Sequence, residues 1–146
     1  MEIWKHKVKN GTTHLAAHDP VLAELIEVYS APSFAPHTNY YQELVESIIG
    51  QQLSIKAAAT IMKRFVSLFG HFPSPEEILA ADPETLRTCG LSYAKIRYVQ
   101  DLAQHIVDGV VKFDHLDTLT NEEIITELTA VKGIGEWTVH MFLIFC

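Results

Sequence analysis

The sequence predicts an all-α fold of some eight helices, and three observations predict it. Helix-start signals recur along the chain, at Asp19-Pro20, Ser54, Ser74-Pro75-Glu76-Glu77, Asp82-Pro83-Glu84, Ser92 and Thr120-Asn121-Glu122-Glu123. Between them apolar residues return every three or four positions. No stretch alternates apolar and polar residues as a half-buried strand does, the start around Ile3–Val8 being the nearest approach.

The elements follow in order. Asp19 caps a helix through "VLAELIEVYSA", and "APSFAPHTN" is a proline-bearing loop. From Tyr40, "YYQELVESIIGQQ" sets Leu44, Ile48 and Ile49 on one face. Ser54 caps "IKAAATIMKRFVSLF", which Gly70 ends. The two Pro-Glu boxes open short helices, the second stopping before Gly90. Ser92 opens "YAKIRYVQDLAQHIVDG", whose Ile96, Val99, Leu102, Ala103 and Ile106 form a buried stripe. Thr120 opens "IITELTAV", and "TELTAVKGIGEWTVHMF" reads as helix, tight turn, helix.

Bulk properties bound the function. The 146 residues are one domain's worth of chain, 48% apolar, enough for a core. No apolar run approaches the roughly 20 residues that span a bilayer, and "MEIWKHKVKN" has no signal-peptide h-region. A cytoplasmic location, in a bacterial cytoplasm or nucleoid, is expected. Cys89 and Cys146 give neither a disulfide framework nor zinc spacing, and Cys89 reads as a small buried residue. Of eight histidines only His14 and His18 stand four apart, so no histidine metal site is expected. His140, on the last helix, reads as a surface group or as one lying behind the site.

The net charge of −7 argues against a nucleic-acid partner. Its distribution softens that: residues 1–53 carry −3, residues 54–100 carry +2 and residues 101–146 carry −6. Lys56, Lys63, Arg64, Lys95 and Arg97 lie in the basic middle third. Any DNA binding must lean on backbone donors.

The turn "KGIGE" offers such donors. Gly133 and Gly135 are expected to supply backbone conformations that a side chain forbids. A helix starting at Glu136 aims unpaired amides into the turn, a cradle for a phosphate oxygen. Lys132 would help and Glu136 would hinder. On Gly-x-Gly alone, a corner that merely packs two helices is equally open. Leu128, Val131, Ile134, Val139 and Leu143 fall where two short helices interlock.

With its context, "LTAVKGIGEWTVHMFL" closely resembles the helix-hairpin-helix of DNA base-excision glycosylases, and most of all the DNA-3-methyladenine glycosylase II group. "HDPVLAELI", "ELVESIIGQQLSIKAAATI" and "GLSYAKIRYVQDLA" resemble the same family in the same order, from about His18 onward. The resemblance implies the glycosylase fold, incomplete at its C-terminus. Residues 1–39 would form an N-terminal arm and first helix packing on helices beyond this chain. Residues 40–146 would form the core, with the hairpin at 120–146.

The family's site then maps onto numbered positions. Amides around Lys132, Gly133, Ile134 and Gly135 would grip a phosphate beside the lesion. Main-chain carbonyls of Thr129, Val131 and Ile134 would hold a structural sodium or potassium ion, with no other cofactor required. In "GQQLS" the resemblance assigns Gln52, with Leu53 beside it and Gln51 behind, to fill the gap left by an everted base, next to Ser54. Gly50 and Ser54 alone would read as an ordinary helix–helix turn. Lyase relatives carry a lysine where this chain has Trp137, so the resemblance implies a monofunctional hydrolase. Trp137 suits a cationic alkylated base, and a core ring is the equal alternative. Tyr40 and Tyr41 are further pocket candidates, with helix packing the simpler role.

The family's catalytic aspartate would lie beyond Cys146, and "WTVHMFLIFC" carries no C-cap glycine, proline or polar shoulder. The chain is therefore expected to be the front portion of a glycosylase, inactive as given, with an apolar face prone to self-association. The expected partner is double-stranded DNA containing alkylated bases, with no membrane and no known protein partner. A non-catalytic DNA-binding or lesion-sensing module is the alternative. An iron–sulfur cluster in the part beyond stays open.

Overall fold

The computed structural model describes residues 2–29 and 37–145; side chains are described from Lys5 onward. Most of the loop "APSFAPHTN" lies outside the described residues. Every described regular element is helical. The described residues fall into two compact units, one up to His37 with Phe145 and one from Thr38 to Ile144.

The first unit contains α1 (Glu2–His18) and α2 (Pro20–Val28). α1 replaces the suspected alternation around Ile3–Val8 with helix. The stretch Gly11-Thr12-Thr13 is a poor helix former. Here the Thr12 and Thr13 hydroxyls donate back to the Val8 and Lys9 carbonyls at 2.9–3.0 Å, a bond that lets threonine sit inside a helix. Asp19 caps α2 by accepting from the Val21 and Leu22 amides at 2.8 and 3.0 Å. No residue of α2 is buried, and Val21, Leu25 and Val28 are exposed.

The second unit runs α3 (Tyr40–Gly50), α4 (Ile55–Phe69), α5 (Pro75–Ala80), α6 (Pro83–Thr88), α7 (Tyr93–Val107), a 3-10 turn (Leu116–Thr118), α8 (Asn121–Thr129) and, but for its last residue, α9 (Glu136–Phe145). The caps form as the residues dictate. Ser74 and Thr120 each close a reciprocal box, with Glu77 and Glu123, and Gly70 ends α4 in the left-handed region at φ +79°. Asn39 caps α3 by accepting from the Gln42 amide at 3.1 Å.

α7 is the central strut, packed against α3, α5 and α6. Its Ile96, Val99, Leu102 and Ala103 are buried together with Leu44, Val45, Ile48 and Ile49 of α3. Each such aliphatic side chain contributes about 1.5–3 kcal/mol on burial. This strut brings two separate turns within side-chain reach of one helix.

Candidate nucleic-acid interface

The first turn links α3 to α4. Gln51 has φ −49° and ψ 131°, Gln52 has φ +57°, and the Leu53 amide donates to the Gly50 carbonyl at 3.1 Å. That is a type II turn, whose third position ordinarily takes glycine. Gly50 stays inside α3, so the positive φ falls on Gln52 instead. Gln52, Leu53 and Ser54 are exposed, and Ser54 caps α4 by accepting from Ala57 at 3.3 Å.

The second turn links α8 to α9. Gly133 has φ +85°, and a Cβ there would collide with the Tyr98 ring of α7, reaching 2.8 Å from Cε2. Gly135 differs from expectation. Its φ is not positive, and a Cβ there would meet nothing within 4 Å. Nothing among the described residues demands glycine at 135, so its bareness leaves open space beside the turn.

The hairpin amides divide into two sets. Lys132 donates its amide to Asp101 Oδ2 at 2.8 Å, and Ile134 donates to the Val131 carbonyl at 3.1 Å. Those two are used internally, so neither serves as a phosphate donor. Among the described residues, the amides of Gly133, Gly135 and Glu136 have no protein acceptor. They sit at the N-terminal end of α9, where the helix dipole is positive. Lys132 Nζ lies 3.2 Å from Asp101 Oδ1 and its side chain is 76% exposed.

Three side chains tie the two turns to each other and to α7: Gln51, already a candidate from the sequence, and Lys95 and Asp101, whose contacts the sequence does not reveal. Gln51 Nε2 donates to the Gly133 carbonyl at 2.8 Å. Lys95 Nζ donates to the Ile49 and Gln51 carbonyls at 2.6 and 2.7 Å. Burial pushes the Lys95 ammonium below its ordinary value. Asp101 clasps Lys132; burial raises its carboxyl, but the Lys132 amide and ammonium, with His105 behind, outweigh that and hold it low. Lys95 is thus spent on carbonyls and adds no free charge for a phosphate.

The remaining candidates scatter. Trp137 is 74% exposed, outside the core of the described residues, while Thr138 and Val139 beside it are buried. Tyr41 donates to the Pro73 carbonyl at 3.0 Å and meets Phe72 edge-on. Burial, with Glu76 and Glu77 adding to it, raises its phenol. Tyr40 donates to Asp117 at 2.9 Å and meets Phe113 and Phe142 edge-on. Both tyrosines line an open groove of about 470 Å³ with Phe113 and Asp114, and Trp137 does not line it. Thr129 ends α8, so its carbonyl lies among the unpaired ones of a helix terminus; the Val131 carbonyl already accepts from Ile134. No cluster of three histidine, cysteine or carboxylate groups is present among the described residues, and no described helix is long and apolar enough to cross a membrane.

An exposed turn with a left-handed glutamine is thus clasped to a hairpin whose Gly133, Gly135 and Glu136 amides are free of protein acceptors. Residues 45–139 match the model of the HhH-GPD superfamily of base excision DNA repair proteins, and the chain belongs to that superfamily. It closely resembles DNA-3-methyladenine glycosylases. It is 44% identical over 108 residues to DNA-3-methyladenine glycosylase 1 of Schizosaccharomyces pombe, covering 72% of this chain and 47% of that one. A Bacillus halodurans DNA-3-methyladenine glycosidase structure superposes with TM-score 0.80 at 38% identity, covering 90% of this chain and 61% of that one. A Schizosaccharomyces pombe 3-methyladenine DNA glycosylase in complex with abasic DNA gives TM-score 0.81 at 37% identity, covering 93% and 69%. This chain spans about half the length of the curated relatives it matches.

Proposed function

We propose that this chain is the DNA-engaging portion of a monofunctional DNA glycosylase that acts on alkylated purines. The observation that carries the reading is the set of free amides at Gly133, Gly135 and Glu136, held beside the exposed Gln52–Leu53 turn. The solved relative in complex with abasic DNA supports duplex DNA as the partner.

The chemistry follows from the residues. These amides donate to a backbone phosphate oxygen without needing a basic surface, which reconciles DNA binding with a net charge of −7. Gln52 and Leu53 occupy the gap left when the damaged nucleotide leaves the stack. Trp137 presents a bare ring face to a base carrying positive charge. Tryptophan at this position has no amine to form a Schiff base, so water is the nucleophile. Carbonyls of Thr129, Val131 and Ile134 would hold a sodium or potassium ion. Hard oxygen donors at the end of α8 fit such an ion, which would offset the carbonyl dipoles below the phosphate.

Cleaving the glycosidic bond builds positive charge on the sugar, which needs a carboxylate nearby. No aspartate or glutamate follows Glu136 in these 146 residues. Glu136 opens α9 beside amides committed to phosphate, where it is exposed. The reading therefore assigns binding without turnover to this chain.

The test pairs two assays on the 146-residue protein. Abasic-site duplex should be retained, with affinity falling steeply as salt rises, while alkylated DNA releases no 3-methyladenine or 7-methylguanine above a matched buffer control. Failure to retain duplex would sink the binding claim, and base release would sink the assignment of inactivity.

A further inference from the structure

The lysine of "GLSYAK" and the strained glutamine of "GQQLS" are one device. Gln52 holds φ +57°, the one non-glycine residue with positive φ among those described. A left-handed glutamine is unfavourable and persists only where its surroundings over-determine it. A cheaper turn is one peptide flip away. Type II differs from type I in ψ of the second residue and φ of the third, that is, in the orientation of the peptide plane between them. Turning the Gln51–Gln52 peptide over would return Gln52 to negative φ.

The structure blocks that flip at one atom. The carbonyl of the Gln51–Gln52 peptide accepts from Lys95 Nζ at 2.7 Å. Lys95 is anchored in turn by the Ile49 carbonyl at 2.6 Å, at the end of α3. The plane after Gln52 is pinned by Leu53 donating to Gly50 at 3.1 Å. Both planes that define the Gln52 backbone are therefore fixed. The Gln51 side chain, bonded to Gly133 at 2.8 Å, holds the turn against the hairpin. A flipped peptide would point its carbonyl away from a partly buried ammonium and leave both short of a partner, a larger penalty than the strain it relieves.

We infer that Lys95 is a positioning residue that locks the Gln51–Gln52 peptide in its type II orientation, so that Gln52 is aimed for insertion into the duplex before DNA arrives. The inference rests on the functional reading above for what Gln52 is aimed at, and on the turn geometry alone for the lock. Preorganisation of this kind removes a conformational cost from the insertion step.

Two measurements test it, and they fail separately. The first needs no DNA. In the otherwise unchanged chain, Gln52→Gly relieves the strain and should raise the melting temperature by about 2 °C. In Lys95→Met the turn has already relaxed, so Gln52→Gly should give no gain or a loss. Equal gains in both backgrounds would overturn the lock.

The second follows 2-aminopurine placed opposite an abasic site, whose fluorescence rises when an inserted side chain disturbs its stacking. Lys95→Met should lose most of that rise while duplex affinity falls by less than about threefold, since the hairpin amides stay in place. A full fluorescence rise in Lys95→Met would overturn the positioning role. If the unsubstituted protein retains no duplex, the functional reading has failed, and the melting cycle still decides the lock.

Discussion

Replacing Gly133 with alanine separates the two glycines of the hairpin. At φ +85° an alanine enters the left-handed region, costing about 1–2 kcal/mol. Its Cβ also runs into the Tyr98 ring. The collision includes Tyr98 Cγ, at the base of the ring, where small ring rotations move atoms least; forcing such a contact adds about 1–3 kcal/mol. The sum, roughly 2–5 kcal/mol, is a large part of the 5–15 kcal/mol that holds a typical domain together. Gly135→Ala should behave oppositely: with open space around its Cβ, stability should change by less than about 0.5 kcal/mol. The added methyl group instead stands where a phosphate approaches, and weakening one charge-assisted amide bond should cost about 10-fold or more in duplex affinity. Urea melts followed by circular dichroism give the stabilities, and fluorescence anisotropy with an abasic duplex gives the affinities. Adding Tyr98→Ala to Gly133→Ala should remove the collision but not the backbone strain. If Gly133→Ala melts like the parent, or if Gly135→Ala binds like it, the division of roles between the two glycines is wrong.

Trp137→Ala should leave the urea midpoint within error, because the ring is 74% exposed, yet weaken binding of duplex carrying a cationic alkylated base more than undamaged duplex; equal weakening would argue against an aromatic base contact. Asp101 is held below the ordinary carboxylate range, so its contribution is complete above about pH 4, the unfolded value, and is lost as pH falls through the lower folded value. Asp101→Asn should therefore shallow the acid limb of the stability profile, and an unchanged limb would show that the Lys132 clasp contributes nothing. The exposed Val21, Leu25 and Val28 of α2 should drive concentration-dependent association, relieved by Val28→Lys; a monomer by sedimentation at all concentrations would contradict this.

The caps made the helices readable. Asp19, Ser54, Ser74, Asp82, Ser92 and Thr120 each accept the amide that their residue type and position imply. α1 was less legible, because Gly11-Thr12-Thr13 weakens the local propensity and the threonine back-bonds show only in three dimensions. In the hairpin, the pattern Gly-x-Gly located the turn but not the distinct roles of its glycines. That difference depends on Tyr98, 35 positions earlier in the chain. Lys95 and Asp101 read as ordinary charges on an amphipathic helix. Their functions appear only when α7 lies beside two turns that are 82 residues apart, as the Gln51–Gly133 bond shows. Periodicity and capping are local signals; a bond between distant turns has no local signature.

The most direct test of the phosphate grip is a titration of the isotopically labelled protein with abasic-site duplex, followed by amide resonances. Shifts should concentrate at Gly133, Gly135 and Glu136, with a second group at Gln52 to Ser54 and little change at the internally bonded amides of Lys132 and Ile134. Large shifts confined to other helices, with those hairpin amides unmoved at saturation, would contradict the account.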